Sequence, residues 1–188
     1  ENTITAEYGG SMGLKPQTGS SRLTVKGDLK DAIVTVNGEY FYTNSPIIPE
    51  VSVTWNGTQL TKDTDYTVNY TDNTNVGTAT VTVTGKGNYT GTKTATFTIE
   101  KATPTPTTPT GLTATYGQTL AESTLTATGS MICPRTQAVI PGTFAWKDGT
   151  IKPNAGSYDA EWTFTPAEGY EEYAPATGTV TVTVEPAE

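Results

Sequence analysis

Residues 77–100 read GTATVTVTGKGNYTGTKTATFTIE. In the first half of this stretch threonine alternates with Ala79, Val81 and Val83, and in the second half it alternates with apolar residues at positions 95–99. Because successive side chains of a β-strand point to opposite faces, this pattern predicts two strands, each with one buried and one hydrated face. The intervening GKGN at 85–88 predicts the turn that joins them.

The same alternation recurs along the chain. It appears at residues 32–36, 51–55, 66–70, 112–116, 144–146, 158–164 and 179–184. About a fifth of the residues are threonine, far above ordinary usage, and β-branched side chains favour strands. No run of residues has the 3.6-residue apolar period of a helix. The sequence therefore predicts an all-β protein, and many short strands at this spacing favour β-sandwiches.

Local signals refine this prediction. Asn56-Gly57 directly after the strand at 51–55 is the strongest sign of a tight hairpin, because both turn positions need a positive φ. Asp148-Gly149 predicts a second hairpin on the same grounds. Further short strands are expected at residues 4–8, 23–25 and 120–125.

A proline- and threonine-rich segment divides the chain. Residues 101–110 read KATPTPTTPT, and repeated X-Pro pairs favour an extended, semi-rigid connector without ladder hydrogen bonds. We therefore predict one sandwich module at 28–100, a linker at 101–110 and a second module at 111–188. Residues 1–27 fit neither module; they are interpreted as the remnant of a preceding module or as extra strands docked on the first.

Charge and cysteine content argue against several classes of partner. The chain has 11 basic and 19 acidic residues, a net charge of −8 that disfavours nucleic acid and anionic membrane surfaces. No stretch approaches the ~20 apolar residues of a membrane span. Cys133 is the single cysteine, so no intrachain disulfide can form. Neither a signal peptide nor an anchoring sequence is recognisable, and we expect the chain to be part of a larger protein.

Residues 28–99 carry a combination of short motifs. Its marks include Asp65-Tyr66, Asn75-Val76-Gly77 and Gly87-Asn88-Tyr89. In combination they resemble the immunoglobulin-like (Ig-like) tandem repeats of large cell-surface proteins of Firmicutes-type bacteria. The second module looks like a related repeat, with marks at Thr115-Tyr116-Gly117, Trp146-Lys147-Asp148-Gly149 and Phe164-Thr165-Pro166. It departs from that pattern at residues 130–141.

The resemblance implies two tandem Ig-like β-sandwich domains and an extracellular location, on a bacterial cell surface or secreted. It implies a structural stalk or spacer that projects a distal functional domain, and no enzyme. The alternative is an adhesion or carbohydrate-binding module. The expected partners are other domains of the same protein and, for the alternative, a host glycan or matrix protein. We expect a monomer without direct membrane insertion.

The residue types also argue against catalysis. There is no histidine, which removes the commonest general base and zinc ligand. Cys133 is interpreted as a loop or half-buried thiol, because Arg135 is the only nearby cation that could favour a thiolate. Acidic residues in turn-like sequence are interpreted as solvated; they are Asp63, Asp65, Glu168, Glu171 and Glu172. No catalytic residue and no cofactor is predicted.

Two other chemistries stay open. The segment Asp72-Asn73-Thr74-Asn75 offers oxygens to calcium but lacks the spacing of an EF-hand, and Asx-turn hydrogen bonds explain it equally well. An intramolecular Lys–Asn bond would need a buried lysine, an asparagine and an adjacent acid. Lys30, Lys93 and Asn69 are available by type, and no metal site is assigned.

Aromatic side chains are the remaining candidates, since a flat ring can stack on a sugar. The three tryptophans are in phase with the apolar faces of their strands, so core packing is expected for Trp55, Trp146 and Trp162. Three tyrosines in turn-like sequence are the predicted ligand-contact residues: Tyr89, Tyr170 and Tyr173. Tyrosine-rich corners also anchor the loops of Ig-like folds, so a structural role is the alternative for all three.

Overall fold

The structure is a computed structural model that describes residues 2–8, 17–23, 25–105, 109–123, 125 and 128–187; for 2–8, 17–23 and 128 it describes the backbone alone. The described chain is all-β, with two short 3-10 helices at Leu29–Asp31 and Leu120–Glu122. The strands of the first half are β1 (Asn2–Tyr8), β2 (Gln17–Leu23), β3 (Gly27–Asp28), β4 (Ile33–Val36), β5 (Tyr40–Phe41), β6 (Val51–Trp55), β7 (Thr58–Gln59), β8 (Tyr66–Thr71), β9 (Gly77–Gly85), β10 (Tyr89–Thr90) and β11 (Thr92–Glu100). Those of the second half are β12 (Leu112–Thr115), β13 (Thr128–Ile132), β14 (Val139–Trp146), β15 (Gly156–Pro166) and β16 (Ala176–Glu185).

The described strands assemble into several sheets. Their orders are β1-β2, β10-β3, β4-β6-β7, β5-β11-β9-β8 and β12-β16-β15-β14-β13. Most neighbouring strands are antiparallel, but β3 with β10, β5 with β11 and β12 with β16 pair in parallel. This arrangement confirms the all-β prediction and is consistent with β-sandwich architecture.

Two compact units emerge from the contacts, and their segments alternate in sequence. Unit 1 takes its described residues from Glu1–Gly38, Pro49–Thr71 and Thr80–Phe97. Unit 2 takes them from Glu39–Ile48, Asp72–Ala79 and Thr98–Glu188. The predicted module boundaries at 28–100, 101–110 and 111–188 stay predictions.

The core of unit 1 follows the alternation seen in the sequence. Val53, Val81 and Val83 are fully buried, while the threonines between them face outward or are half-buried. The predicted hairpin joins β6 to β7, with a φ of 46° at Asn56 and 76° at Gly57. These left-handed values are those that a two-residue hairpin loop requires, so this prediction is confirmed.

The core of unit 2 is built from the longest strands. Alternate residues are buried from 160 to 164 in β15 and from 180 to 184 in β16, including Trp162, Phe164 and Val182. Residues 128–146, which contain the segment that departs from the repeat pattern, form the antiparallel pair β13–β14. Met131 and Cys133 are fully buried there and belong to the core, whereas Pro134 and Arg135 are exposed.

Two local predictions are wrong, and a third is met only at its first residue. In place of the strand expected at 120–125, Leu120–Glu122 form a 3-10 helix, because the backbone N–H and the hydroxyl of Thr119 both donate to the Glu122 carboxylate and cap a helical turn; residue 124 lies outside the described residues. The expected hairpin at Asp148-Gly149 is a longer connection between β14 and β15. Its backbone bonds to the 3-10 helix, with Ala121 N donating to Gly149 O at 2.9 Å. Of the strand expected at 23–25, Leu23 lies in β2, residue 24 lies outside the described residues, and Val25 is in no strand and is 73% exposed.

Candidate functional site

Tyr89 packs in unit 1 against a tryptophan. Its ring meets Trp55 edge-to-face, with ring centroids 5.6 Å apart and an interplanar angle of 77°. The indole Nε1 of Trp55 donates to the carbonyl oxygen of Asp28 at 2.8 Å, which fixes the ring that Tyr89 contacts. Tyr89 is half-buried, so one part of its ring supports the fold and the remainder faces solvent.

Tyr170 and Tyr173 lie together in unit 2. Their ring centroids are 6.2 Å apart, and the backbone N–H of Tyr173 donates to the carbonyl of Tyr170 at 3.1 Å. Tyr170 is half-buried, whereas Tyr173 is only 7% exposed. The expectation of a surface side chain is therefore not met at Tyr173, because its ring packs edge-to-face against Tyr42 at 5.6 Å. A ligand-contact role for the three predicted tyrosines stays a prediction.

The tryptophans differ in burial. Trp162 is fully buried, as predicted, against Phe144 at a centroid distance of 5.4 Å. Trp55 and Trp146 are half-buried. The indole Nε1 of Trp146 donates to Ser123 Oγ at 3.0 Å. Both half-buried tryptophans thus direct their polar atom toward the protein and leave part of the ring accessible.

A shallow, mainly apolar depression lies beside Trp146. Its lining includes Ala121, Ser123, Leu125 and Phe144. The sequence does not predict this depression, because alternation at 144–146 shows only that Phe144 and Trp146 share one face. The depression depends on the 3-10 helix at Leu120–Glu122, where the sequence predicts a strand.

Two of the predicted solvated carboxylates accept hydrogen bonds within the turns that contain them. Asp65 Oδ2 accepts a hydrogen bond from the backbone N–H of Thr61 at 2.8 Å. Glu171 Oε1 accepts from Gly169 N at 2.9 Å, and this bond lowers the pKa of Glu171. Glu172 differs, since its Oε2 accepts from Val76 N at 2.7 Å, 96 positions away in sequence. Hydrogen bonds from backbone amides favour the ionised form of a carboxyl group.

Several residues considered for a calcium site or an intramolecular Lys–Asn bond make ordinary hydrogen bonds in the structure. Asn73 exchanges hydrogen bonds with Ile47: Ile47 N donates to Asn73 O at 2.7 Å, and Asn73 Nδ2 donates to Ile47 O at 2.9 Å. The ammonium of Lys93 donates to the carbonyl of Lys30 at 2.9 Å, and Asn69 is exposed on β8. Within the part of the chain that the structure describes, no group of three potential metal-ligating side chains comes together.

The side chains of Cys133 and Arg135 lie in different environments. The Cys133 thiol is fully buried, with Sγ 4.0 Å from the carbonyl oxygen of Thr103. The Arg135 guanidinium lies over the ring of Phe41, 4.4 Å from the centroid, in a cation–π contact. The thiol was expected to be in a loop or half-buried; Cys133 does lie in the connection between β13 and β14, but its side chain is fully buried.

Burial changes the acidity of two tyrosines. The pKa of Tyr42 is raised above its usual value of 10.0, first by burial and then by the nearby Tyr173 and Glu172. The pKa of Tyr66 is raised mainly by burial, with further contributions from Asp63 and Asp65. Both phenols stay protonated to higher pH than exposed tyrosines do, which suits structural side chains.

No protein-family model matches the chain, and no curated protein is similar to it at a significant level. None of the helices described is long and apolar enough to cross a membrane.

Proposed function

We propose that the chain is a load-bearing spacer of a large bacterial cell-surface or secreted protein, built from tandem Ig-like modules and projecting a distal functional domain. It acts outside the cell, without catalysis and without a cofactor. Its partners are the neighbouring domains of the same protein, and it is monomeric. Neither nucleic acid nor a membrane is among its partners.

The parallel pairing of β12 with β16 is the observation that carries this proposal. Leu112 pairs with Val182 and Thr115 with Glu185, and Tyr116 N adds a bond to Glu185 O at 2.8 Å. Unit 2 also contains segments before β12, so a pull from the N-terminal side acts on the start of β12 once the bonds at residues 102–105 have opened, and a pull from the C-terminal side acts on the end of β16. A pull along the chain therefore draws these parallel strands in opposite directions and loads their evenly spaced hydrogen bonds together. Such shear is the geometry in which a small sheet resists force best.

The outer face of β16 suits an exposed spacer. Its threonines at 177, 179, 181 and 183 are exposed, while Val180, Val182 and Val184 between them are buried. The hydroxyl of Thr181 donates to Asp159 Oδ1 at 2.7 Å across the neighbouring strand. Hydroxyls on the wet face keep the sheet hydrated and leave its apolar side chains inside.

Single-molecule force measurements test the proposal. The chain is pulled by its two termini, and a matched variant, Tyr116→Cys, is pulled from position 116 and the C-terminus. In the second geometry the force acts on the same ends of β12 and β16, so their bonds break one after another. We expect the force that unfolds unit 2 to be about twofold higher or more in the first geometry, since forced unfolding depends on the unfolding barrier. Equal forces in the two geometries would contradict a load-bearing role.

The alternative function is adhesion or carbohydrate binding. The half-buried ring of Trp146 beside an apolar depression favours it, because ligand sites combine apolar lining with a few polar groups. A screen against glycans and matrix proteins tests this alternative. Binding that Trp146→Ala or Tyr170→Ala abolishes, with the fold intact, would replace the spacer proposal with an adhesive one.

A further inference from the structure

Five residues that are far apart in the sequence meet within unit 2. They are Tyr42, Val76, Ala102, Glu172 and Tyr173, and we call them the Tyr173 cluster. The rings of Tyr42 and Tyr173 are perpendicular, at 89°, with centroids 5.6 Å apart. The Glu172 carboxylate accepts the Val76 amide hydrogen at 2.7 Å. A carboxylate that accepts from a backbone N–H makes one of the stronger hydrogen bonds in proteins.

Ala102 joins this cluster through its backbone. Its N–H donates to Glu172 O at 3.1 Å, and its carbonyl accepts from Ala174 N at 2.9 Å, which makes a parallel bridge to Tyr173. Ala102 is 0% exposed. Three residues later, Thr105 N donates to Ile132 O at 3.0 Å. The sequence predicted a connector without ladder hydrogen bonds here, but residues 102–105 are bonded at two points.

Neighbouring contacts surround the cluster. The Tyr173 hydroxyl lies 3.2 Å from Thr136 Oγ1, which ties the ring to the turn after β13. Arg135, from the same turn, covers the ring of Phe41 next to Tyr42. Both tyrosine rings of the cluster are buried. The segments 39–48 and 72–79 are therefore held to the C-terminal part of unit 2 by ring packing as well as by hydrogen bonds.

We propose that the contacts of the Tyr173 cluster hold residues 101–105 in the folded structure, so that the chain does not bend as a hinge at these residues. A proline-rich segment without hydrogen bonds is a semi-rigid spacer that keeps some conformational freedom. The cluster removes this freedom from the N-terminal half of the segment at 101–110. This inference goes beyond the spacer function. The cluster fastens the same segments whether the protein carries load or binds a ligand.

Trypsin provides the test, because Lys101 is exposed and directly precedes Ala102. Cleavage needs a locally unfolded backbone, and its rate reports the population of the open form. We expect the native chain to resist cleavage after Lys101. Tyr173→Ala and Glu172→Ala each increase the rate at this bond about tenfold or more, while cleavage after Lys147 in the same unit changes much less. Mass spectrometry identifies the fragments that end at Lys101.

Two matched controls accompany these variants. Tyr116→Ala removes an exposed aromatic ring, and Glu168→Ala removes an exposed carboxylate; both should leave cleavage after Lys101 as in the native chain. Native cleavage after Lys101 as fast as in the urea-unfolded chain would overturn the proposal. An unchanged rate in both cluster variants would also overturn it. If Tyr173→Ala does not fold, Glu172→Ala decides alone.

Amide hydrogen exchange gives an independent measurement. The Val76 amide should exchange slowly in the native chain, and Glu172→Ala should speed its exchange about tenfold or more without a similar change at the core amide of Val182. If the Val76 amide exchanges at the same rate in the native chain and in Glu172→Ala, the Glu172 carboxylate does not hold the segment at 72–79 in place. A uniform increase at both amides would indicate general destabilisation and would likewise contradict the proposal.

Discussion

Replacing Gly178 by alanine tests how tightly the interior of unit 2 is packed. Gly178 lies in β16 directly opposite Trp162 in β15. A Cβ at position 178 would overlap the indole of Trp162 at Cζ2. The folded protein can therefore accommodate an alanine at position 178 only if the Trp162 ring, strand β16 or both move.

The indole of Trp162 has little room to retreat. It is 0% exposed and meets Phe144 at a centroid distance of 5.4 Å, and Phe144 in turn contacts Phe164 at 4.9 Å. An added methyl group thus pushes on a continuous aromatic stack. Overpacking a well-filled core costs about 1–3 kcal/mol, and we expect Gly178→Ala to lower the free energy of unfolding of unit 2 by about 2 kcal/mol.

Urea denaturation followed by circular dichroism measures this loss. In a unit of this size each kcal/mol lowers the melting temperature by roughly 4–8 °C, so thermal melting gives a second reading. The exposed neighbour Thr179 supplies a control, since Thr179→Ala should change stability by less than about 0.5 kcal/mol.

A double-mutant cycle isolates the overlap itself. Trp162→Phe replaces the indole, whose Cζ2 the new methyl group would meet, by a smaller phenyl ring, so Gly178→Ala should cost at least about 1 kcal/mol less in that background than in the native one. The reasoning is refuted if Gly178→Ala costs less than about 0.5 kcal/mol, or if its cost is the same in both backgrounds.

Three further predictions concern unit 1 and the buried tyrosines. Gly57→Ala should lower the free energy of unfolding of unit 1 by about 1 kcal/mol in urea denaturation, because residue 57 has a φ of 76° that alanine adopts only with strain; an unchanged midpoint would argue against the tight turn. Trp55→Phe removes the indole donor to Asp28 and should cost about 1 kcal/mol or more, measured in the same way against the native chain. The raised pKa values of Tyr42 and Tyr66 give stability that is complete below pH 10. Above pH 10 the unfolded chain loses these protons before the folded chain does, so melting temperatures should fall there, and Tyr66→Phe should reduce the slope.

Strand content and the inward-facing residues followed from the sequence wherever alternation was strict. The buried positions of β9 and β16 are those that the threonine–valine pattern predicted. The hairpin at Asn56-Gly57 was also predictable, because its geometry depends on two adjacent residues alone. Both features are local, so no knowledge of distant contacts was needed.

Two of the failures occurred where a tertiary contact outweighed a local signal. Asp148-Gly149 reads as a hairpin, but its backbone bonds to the 3-10 helix at Leu120–Glu122 instead of closing a tight turn. Tyr173 lies in turn-like sequence, yet it is buried by Tyr42, which is 131 positions earlier in the numbering. A pattern within a segment carries no information about which distant segment will cover it.

The sequence by itself determined that this is a β-protein and which face of each long strand is apolar. It also determined the position of the hairpin turn at Asn56-Gly57. These properties depend on side-chain period and backbone preference over a few residues. Only the tertiary structure decided which strands are neighbours, so that β12 lies parallel to β16 and residues 102–105 are bonded at two points. Strand partners are chosen by the packing of whole apolar faces across long sequence separations, and alternation alone leaves many pairings equally acceptable.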